Sequence, residues 1–293
     1  MMISRRLVLS AGLSCAAFMR SPAFAITDEA ALEAERRIDI AGYQRTRVKL
    51  IAKAACYARA GVTPEKDFEV IALETTATSD VLLALRNGSP ELGLARETHS
   101  KVLDNLRAAK ALWLPFSERT AAIAERGSVT EDELNYVLEK EPALFQAMDD
   151  VVTAVQQTYG NDALPLHLAV ATNFAGRQRS LGQEVAKDIC LLGLGYKPQE
   201  TRRKLADAIE LFENTHGALA RGMPMLGIKA PAQESLAAKY AEIGTLWSAL
   251  KALALPALEG TAVDNAFIVS VGDAADRLLT ASDAAVKLYK GEV

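Results

Sequence analysis

Two arginines in matching surroundings are the residues of this sequence best suited to bind a small charged ligand. Arg45 ends the stretch Asp39–Arg45 (DIAGYQR), and Arg179 ends the stretch Asn173–Arg179 (NFAGRQR), 134 residues later. A guanidinium group carries parallel N–H donors that match two oxygens of a planar oxyanion at once. The pattern therefore indicates two equivalent positions at which an anion could be held.

Each arginine lies on a helical face that is otherwise small or apolar. Steps of three and four residues give the faces Ile38, Ala41, Arg45, Val48, Ala52, Cys56 and Thr172, Ala175, Arg179, Gly182, Ala186, Cys190. A charge on such a face is costly unless it is paired, and neither face has an acidic residue one turn away. If the two helices pack together, an anion would bridge the guanidiniums. The alternative is that each arginine pairs with a carboxylate in its own half of the chain.

Four neighbouring residues complete this predicted site. Gln44 and Gln178 directly precede the arginines and would add neutral hydrogen-bond donors. Gly42 and Gly176 would allow the two helices to approach closely, because glycine has no side chain to hold them apart.

The two stretches belong to a longer internal repeat. From Ala41 to Pro64, nine of 24 positions are identical to those 134 residues later, whereas chance would give roughly one or two. The same offset relates residues 88–93 to 222–227 and Trp113 to Trp247, and the tryptophans are predicted core residues. The chain is therefore expected to be an internal duplication.

Helical segments fill both copies, and no stretch shows the sustained alternation of a strand. The predicted helices run from about 27 to 59, 63 to 86, 91 to 126 and 131 to 159, and then from about 165 to 194, 201 to 220, 231 to 255 and 263 to 289. Pro115 and Pro142 are expected to kink or interrupt their helices. The sequence predicts an all-α fold of two tandem up-down four-helix bundles, residues 26–160 and 161–293, related by a pseudo-twofold axis.

Residues 1–25 are predicted to be a cleaved export signal. A basic start at Arg5-Arg6 precedes a mostly apolar stretch that is too short to span a bilayer, and Ala23–Ala25 supplies the cleavage pattern. The arginine pair also fits a twin-arginine signal, with an ordinary Sec signal as the alternative. Either route places the mature chain, which would begin near Ile26, in the periplasm. No later segment is predicted to span a membrane.

Composition and motifs argue against several other functions. The formal net charge of −4 disfavours a nucleic-acid partner. No nucleophile–base set, haem attachment motif or dinucleotide fingerprint is present, so neither an enzyme nor a cofactor is predicted. The histidines fall at unmatched repeat positions and predict no metal site: His99, His167 and His216.

Two further pairs of residues have simple interpretations. Cys56 and Cys190 occupy equivalent positions, which leaves open either a disulfide in an oxidising compartment or two small buried thiols. Asp149 and Asp150 are adjacent on a predicted helix and are expected to lie on a solvated face.

Residues 40–53 and 174–187 resemble a known family. The Ala-Gly-x-Gln-Arg pattern, followed by Ala52-Lys53 or Ala186-Lys187, resembles the N-terminal sensor domain of type IV pilus methyl-accepting chemotaxis transducers, the PilJ-type domain. It is similar to the periplasmic domains of nitrate/nitrite sensor kinases. The second copy fits better, through residues 180–183, whereas the first departs from the pattern at 46–49.

The resemblance implies a role for the two arginines. In the sensor kinases an arginine of this segment contacts nitrate between two subunits, each of them a four-helix bundle. That arginine corresponds to Arg45 and Arg179, and Arg179 lies in the copy that keeps the pattern better. The duplication would supply in one chain what those sensors build from two.

The sequence therefore predicts a periplasmic binding or sensing protein for a small oxyanion such as nitrate or nitrite. It would act with a separate membrane-bound sensor or transducer. The alternative is a non-catalytic helical scaffold that binds a membrane sensor or a type IV pilus component and takes no small ligand.

Overall fold

The computed structural model describes residues 28–160 and 166–289, and the predicted export signal lies outside them. In the described ranges the chain folds into eight α-helices, without strands, so the predicted all-α class is confirmed. Their bounds are α1 Asp28–Ala60, α2 Pro64–Asn87, α3 Ser100–Arg126, α4 Glu131–Tyr159, α5 Leu166–Gly193, α6 Pro198–Arg221, α7 Glu234–Leu258 and α8 Asn265–Tyr289. None of these helices is long and apolar enough to cross a membrane.

Local sequence signals set most of these boundaries. Pro64 and Pro198 begin α2 and α6, because proline has no N–H to lose in a first turn and its φ angle suits a helix. Thr130 and Glu133 form a reciprocal capping box at the start of α4. The three internal prolines, Pro115, Pro142 and Pro256, lie inside continuous helices, so the two predicted interruptions do not occur.

The segment after α2 differs from the sequence prediction. The third helix starts at Ser100, about nine residues later than expected, because Ser89 and Leu94 close a turn by two backbone hydrogen bonds. Met223 and Ile228 form the same bridge after α6. At the start of these turns Gly88 and Gly222 adopt φ angles of 85° and 81°, which non-glycine residues rarely take.

The helices pack as two bundles that meet along α1 and α5. Helices α1 to α4 contact one another in cyclic order, α5 to α8 do the same, and α1 packs against α5 along a long shared surface. This packing matches the predicted pair of four-helix bundles. The recurrence of helix bounds and turns at a spacing of 134 residues supports the predicted duplication, which stays a prediction, as do the domain limits.

The core of each bundle contains one of the two tryptophans. Trp113 is buried and donates a hydrogen bond to Ser79. Trp247 is buried and stacks on Phe212, with ring centroids 3.9 Å apart. Both residues therefore anchor the packing of their bundles, as predicted.

A disulfide joins the two central helices. Cys56 of α1 and Cys190 of α5 are fully buried and bonded, with their Cα atoms 6.3 Å apart. Arg45 and Arg179 also lie close together, as described below. Since both pairs are separated by 11 residues on their helices, α1 and α5 run parallel to each other.

Candidate functional site

The two helical faces predicted from the sequence meet between α1 and α5 at the two arginines and at the disulfide. All twelve positions of these faces are buried. Arg45 is 0% and Arg179 is 1% exposed, so both guanidiniums lie where an unpaired charge would be strongly destabilising. Their partners therefore decide what this interface can do.

Arg45 has partners in both bundles. Its Nη1 atom donates to Asp149 Oδ1 at 2.5 Å and to Asn173 Oδ1 at 2.8 Å. Its Nη2 atom donates to the Asn173 carbonyl at 3.3 Å. Asp149 lies on α4 of the same bundle and also pairs with Arg177 of α5, whose Nη2 donates to both carboxylate oxygens.

Arg179 repeats this arrangement with one difference. Its Nη1 atom donates to Asp283 Oδ1 of α8 at 2.9 Å, and its Nη2 atom lies 2.8 Å from Asp39 Oδ1 of α1. Asp283 corresponds to Asp149 at the spacing of 134, and Asp39 corresponds to Asn173. Arg179 thus contacts two carboxylates, whereas Arg45 contacts one carboxylate and one amide.

The two interface glycines make room for the guanidiniums. A Cβ atom on Gly176 would lie 3.3 Å from the Nη2 atoms of both Arg179 and Arg45. A Cβ atom on Gly42 would lie 3.3 Å and 3.8 Å from Arg45 Nη2 and Arg179 Nη2. The glycines therefore let the two like charges share one small space, where the prediction invoked only close helix approach.

These contacts correct two expectations. The counter-charges that the two faces lack are supplied by neighbouring helices, so each arginine does pair with a carboxylate of its own bundle. Asp149 is partly buried and ion-paired, with a side chain 15% exposed, so its expected place on a solvated face is wrong. The signal that could have found it is its recurrence as Asp283, at the spacing already known from the repeat.

The electrostatic balance keeps these groups ionised. Burial lowers the pKa of Arg45 to about 10, although Asp149 acts against that shift. Burial works to raise the pKa of Asp149, but Arg45 and Arg177 outweigh it and hold the pKa below its ordinary value. For Asp283, burial is likewise outweighed by Lys287 and Arg179, and its pKa is lowered.

The predicted glutamines are both buried, Gln44 on α1 and Gln178 on α5. Gln44 donates from Nε2 to the Ile40 carbonyl at 2.8 Å. Gln178 is 1% exposed, and its Nε2 atom has no hydrogen-bond partner among the described residues. The same holds for Arg179 Nε. Buried donors without acceptors are rare in folded proteins, so these two donors of α5 remain able to bind an acceptor.

Arg179 is one of the residues that line a groove of about 260 Å³ beside α1, α2 and α8. Tyr43 lies in this groove, and its ring sits 4.9 Å from Arg179 Cζ, a favourable cation–π arrangement. Arg47 and Lys287 add two cationic side chains, against the carboxylates of Asp39 and Asp283. The charged residues that line the groove thus carry a net positive charge.

No group of histidine, cysteine or acidic side chains among the described residues could hold a metal ion. What the described residues do provide is a pair of parallel helical bundles with two ion-paired arginines at their shared interface. This arrangement is suited to recognising a small anion or to coupling the two bundles through charge.

Comparison with known proteins adds a family to this description. Residues 166–267 match the family model described as "Type IV pili methyl-accepting chemotaxis transducer N-term", the PilJ family. The matched segment contains Gly176, Gln178 and Arg179. The predicted PilJ-type domain is therefore confirmed for this part of the chain, and such a domain is consistent with a sensing function. The tandem copy and the similarity to nitrate sensors stay predictions. No curated protein and no solved structure gave a match.

Proposed function

We propose that this protein is a periplasmic sensor component that binds a small oxyanion, such as nitrate or nitrite, at the interface of its two bundles. Arg179 is the principal ligand and Arg45 lies beside it. The observation that carries the proposal is a buried guanidinium at this interface that faces an open groove and keeps its Nε donor without an acceptor. The match of this segment to a transducer sensor domain supports a sensing role.

The carboxylates around the arginines shape how an anion would bind. Arg179 is already paired with Asp39 and Asp283, so an oxyanion that binds it has to replace part of these contacts. Such exchange costs part of the binding energy, but it lets the ligand redistribute ion pairs that join α1, α5 and α8. Because these pairs span both bundles, anion binding is coupled to the packing of the bundles against each other.

The periplasmic location rests on the predicted export signal, and the signalling partner rests on the family match. A separate membrane-bound transducer would read the change in bundle packing. The protein itself would carry out no chemical reaction.

Isothermal titration and thermal denaturation with nitrate, nitrite and sulfate test this proposal, with chloride at equal ionic strength as the salt control. We expect at least one oxyanion to raise the unfolding midpoint, since a ligand at 100 times its Kd stabilises by about 2.7 kcal/mol. Arg179→Ala should abolish both the heat of binding and the ligand-induced shift. Arg37→Ala is the matched control, because Arg37 is an equally buried, ion-paired arginine of α1.

The ligand-induced shift, rather than the absolute midpoint, is the quantity compared, since each variant loses a buried ion pair. An oxyanion shift that survives in the double variant Arg45→Ala/Arg179→Ala would exclude the arginines as ligands. The absence of any oxyanion response in the wild-type protein would favour the scaffold function instead.

A further inference from the structure

The start of α1 fills a pocket at the tip of the first bundle with its own arginine. Arg37 is 1% exposed and donates to the carbonyls of Leu85 and Ala95 at 3.1 and 2.7 Å. It also pairs with Glu97 at 3.1 Å and Glu33 at 2.8 Å. One cation, two carboxylates and two backbone carbonyls thus occupy the space between α1 and the turn that follows α2.

The corresponding place in the second bundle has a different set of side chains. At the spacing of 134, Arg37 is replaced by Ala171, Glu33 by His167 and Glu97 by Pro231. An open cavity of about 370 Å³ lies there between α5, α7 and α8. Its lining residues are His167, Leu168, Ala171, Lys229, Pro231 and Tyr289, with four more from the segment 230–236.

The side chains that line the two pockets differ in the sign of their charge: acidic around Arg37 in the first bundle, basic in the second. The first pocket surrounds its guanidinium with carboxylates, whereas none of the described lining residues of the second cavity is acidic. Its basic groups are Lys229 and His167, Tyr289 adds a phenol, and most of the remaining wall is aliphatic. A cavity of this size, largely apolar with a few polar groups, has the properties of a small-molecule site.

We propose that this cavity binds a small organic carboxylate with an apolar body. The carboxylate pairs with the Lys229 ammonium group, and the His167 imidazole lies on the same wall as a second donor. The apolar body packs against Leu168, Ala171 and Leu236. The ligand thereby takes the volume that the Arg37 side chain takes in the first bundle.

This site is separate from the oxyanion site at Arg45 and Arg179. Ala171 precedes Arg179 by eight residues on α5, which is about 12 Å along a helix. None of the residues that line the cavity contacts either guanidinium in the described structure. The proposal therefore does not depend on the proposed oxyanion function.

The test is a titration of the purified protein with benzoate, followed by calorimetry, with benzamidine as a cation of the same shape. We expect saturable binding of benzoate and none of benzamidine. Ala171→Leu, which fills the cavity, and Lys229→Gln, which removes the ammonium group, should each weaken benzoate binding at least tenfold. Ala122→Leu on the exposed face of α3 and Lys251→Gln on α7 are the matched controls and should leave it unchanged.

Nitrate titrations of the same variants separate the two sites. Ala171→Leu should retain whatever nitrate response the wild-type protein has, and Arg179→Ala should retain benzoate binding. The proposal is overturned if benzoate shows no saturable binding, if benzamidine binds in its place, or if Ala171→Leu and Lys229→Gln both bind as tightly as the wild-type protein.

Discussion

At the scale of single residues, the asymmetry between Arg45 and Arg179 depends on one position. Asp39 gives Arg179 a second carboxylate, and the corresponding Asn173 gives Arg45 an amide. A carboxylate attracts a guanidinium through its charge, which a neutral amide does not, so Arg179 has the stronger electrostatic attraction to protein groups. It also lines a groove, so under the proposed function it is the arginine that an incoming anion would meet first.

Removing one of these carboxylates should strengthen anion binding. Asp283→Asn leaves Arg179 with a single acidic partner, which should lower the free energy of unfolding by about 1 to 3 kcal/mol. An oxyanion can then replace the lost carboxylate, so nitrate should raise the thermal midpoint of this variant more than that of the wild-type protein. Differential scanning calorimetry with and without nitrate measures both effects.

Asp276→Asn on the same helix is the control, because Asp276 pairs with Lys53 rather than with an interface arginine. It should lose stability without gaining a larger nitrate response. An equal nitrate shift in Asp283→Asn and in the wild-type protein would show that the anion does not compete for Arg179.

The arginines themselves could be predicted from the sequence; the repeat could also have marked Asp149 and Asp283 as recurring residues, but not their pairing with the arginines. Arg45 and Arg179 are visible as charges on otherwise apolar faces. Asp149 is 104 residues from Arg45, and only the packing of α4 against α1 brings them together. The contact between Tyr43 and Arg179 could not be predicted either, because it depends on how α1 and α5 are aligned along each other.

At the scale of helices, one side of the interface carries a buried charge cluster. Lys49 of α1 contacts Glu141 of α4 and Glu184 of α5, and Lys187 lies 3.0 Å from each of the same glutamates. Two lysines thus balance two glutamates. Asp188 is a third carboxylate, 3.5 Å from Lys187, fully buried and without a hydrogen bond to its carboxylate oxygens among the described residues.

This extra carboxylate should make stability depend on pH. Burial raises the pKa of Asp188 to about 7, with Lys187 opposing and Glu184 adding to the shift. The folded protein therefore binds a proton at Asp188 between about pH 4 and pH 7 that the unfolded chain releases, so the contribution of Asp188 to the wild-type free energy of unfolding falls through this range. Asp188→Asn should remove that fall and be more stable by on the order of 2 kcal/mol above pH 7.

Urea denaturation of both proteins from pH 4 to pH 8 gives the difference between their free energies of unfolding, in which the contributions of carboxylates distant from Asp188 cancel. Asp150→Asn, at an exposed aspartate of α4, is the control for the same substitution outside the buried cluster. A constant difference for Asp188→Asn would mean that Asp188 is ionised throughout the range.

Helix positions were easier to predict than these interactions because short-range signals fix them. Pro64, Pro198 and the glycines at the turns mark where helices begin and end. The late start of α3 was missed because the turn at Ser89–Leu94 is held partly by Arg36, which donates to the Gly93 carbonyl from 57 residues away. Sequence patterns report local preference, and this turn depends on a distant side chain.

At the scale of the whole molecule, the Cys56–Cys190 bond closes a loop of 134 residues between the two bundles. A loop of this length gives a large loss of unfolded-state entropy, about 4 to 5 kcal/mol in the chain-entropy account. Reduction, or the double variant Cys56→Ala/Cys190→Ala, should lower the guanidinium chloride midpoint accordingly. Because both sulfurs are in the disulfide, a thiol reagent should not label Cys56 or Cys190 in the oxidised native protein.

Labelling after denaturation, with and without reductant, is the corresponding check. Two additional reactive thiols after reduction identify the bond, and an unchanged thiol count would exclude it. The single variants Cys56→Ala and Cys190→Ala should each have nearly the same guanidinium chloride midpoint as the double variant, since they differ from it only by one buried sulfur atom.

The disulfide also gives the paired helices a mechanical property. It acts as a pivot near one end of α1, with Arg45 about 16 Å away and Ala31 about 38 Å away at a rise of 1.5 Å per residue. A rotation about this pivot that displaces Arg45 by about 1 Å displaces the start of the helix by about 2 Å. Any tilt of α1 about the bond that ties the bundles together would therefore be largest at the tip of the first bundle.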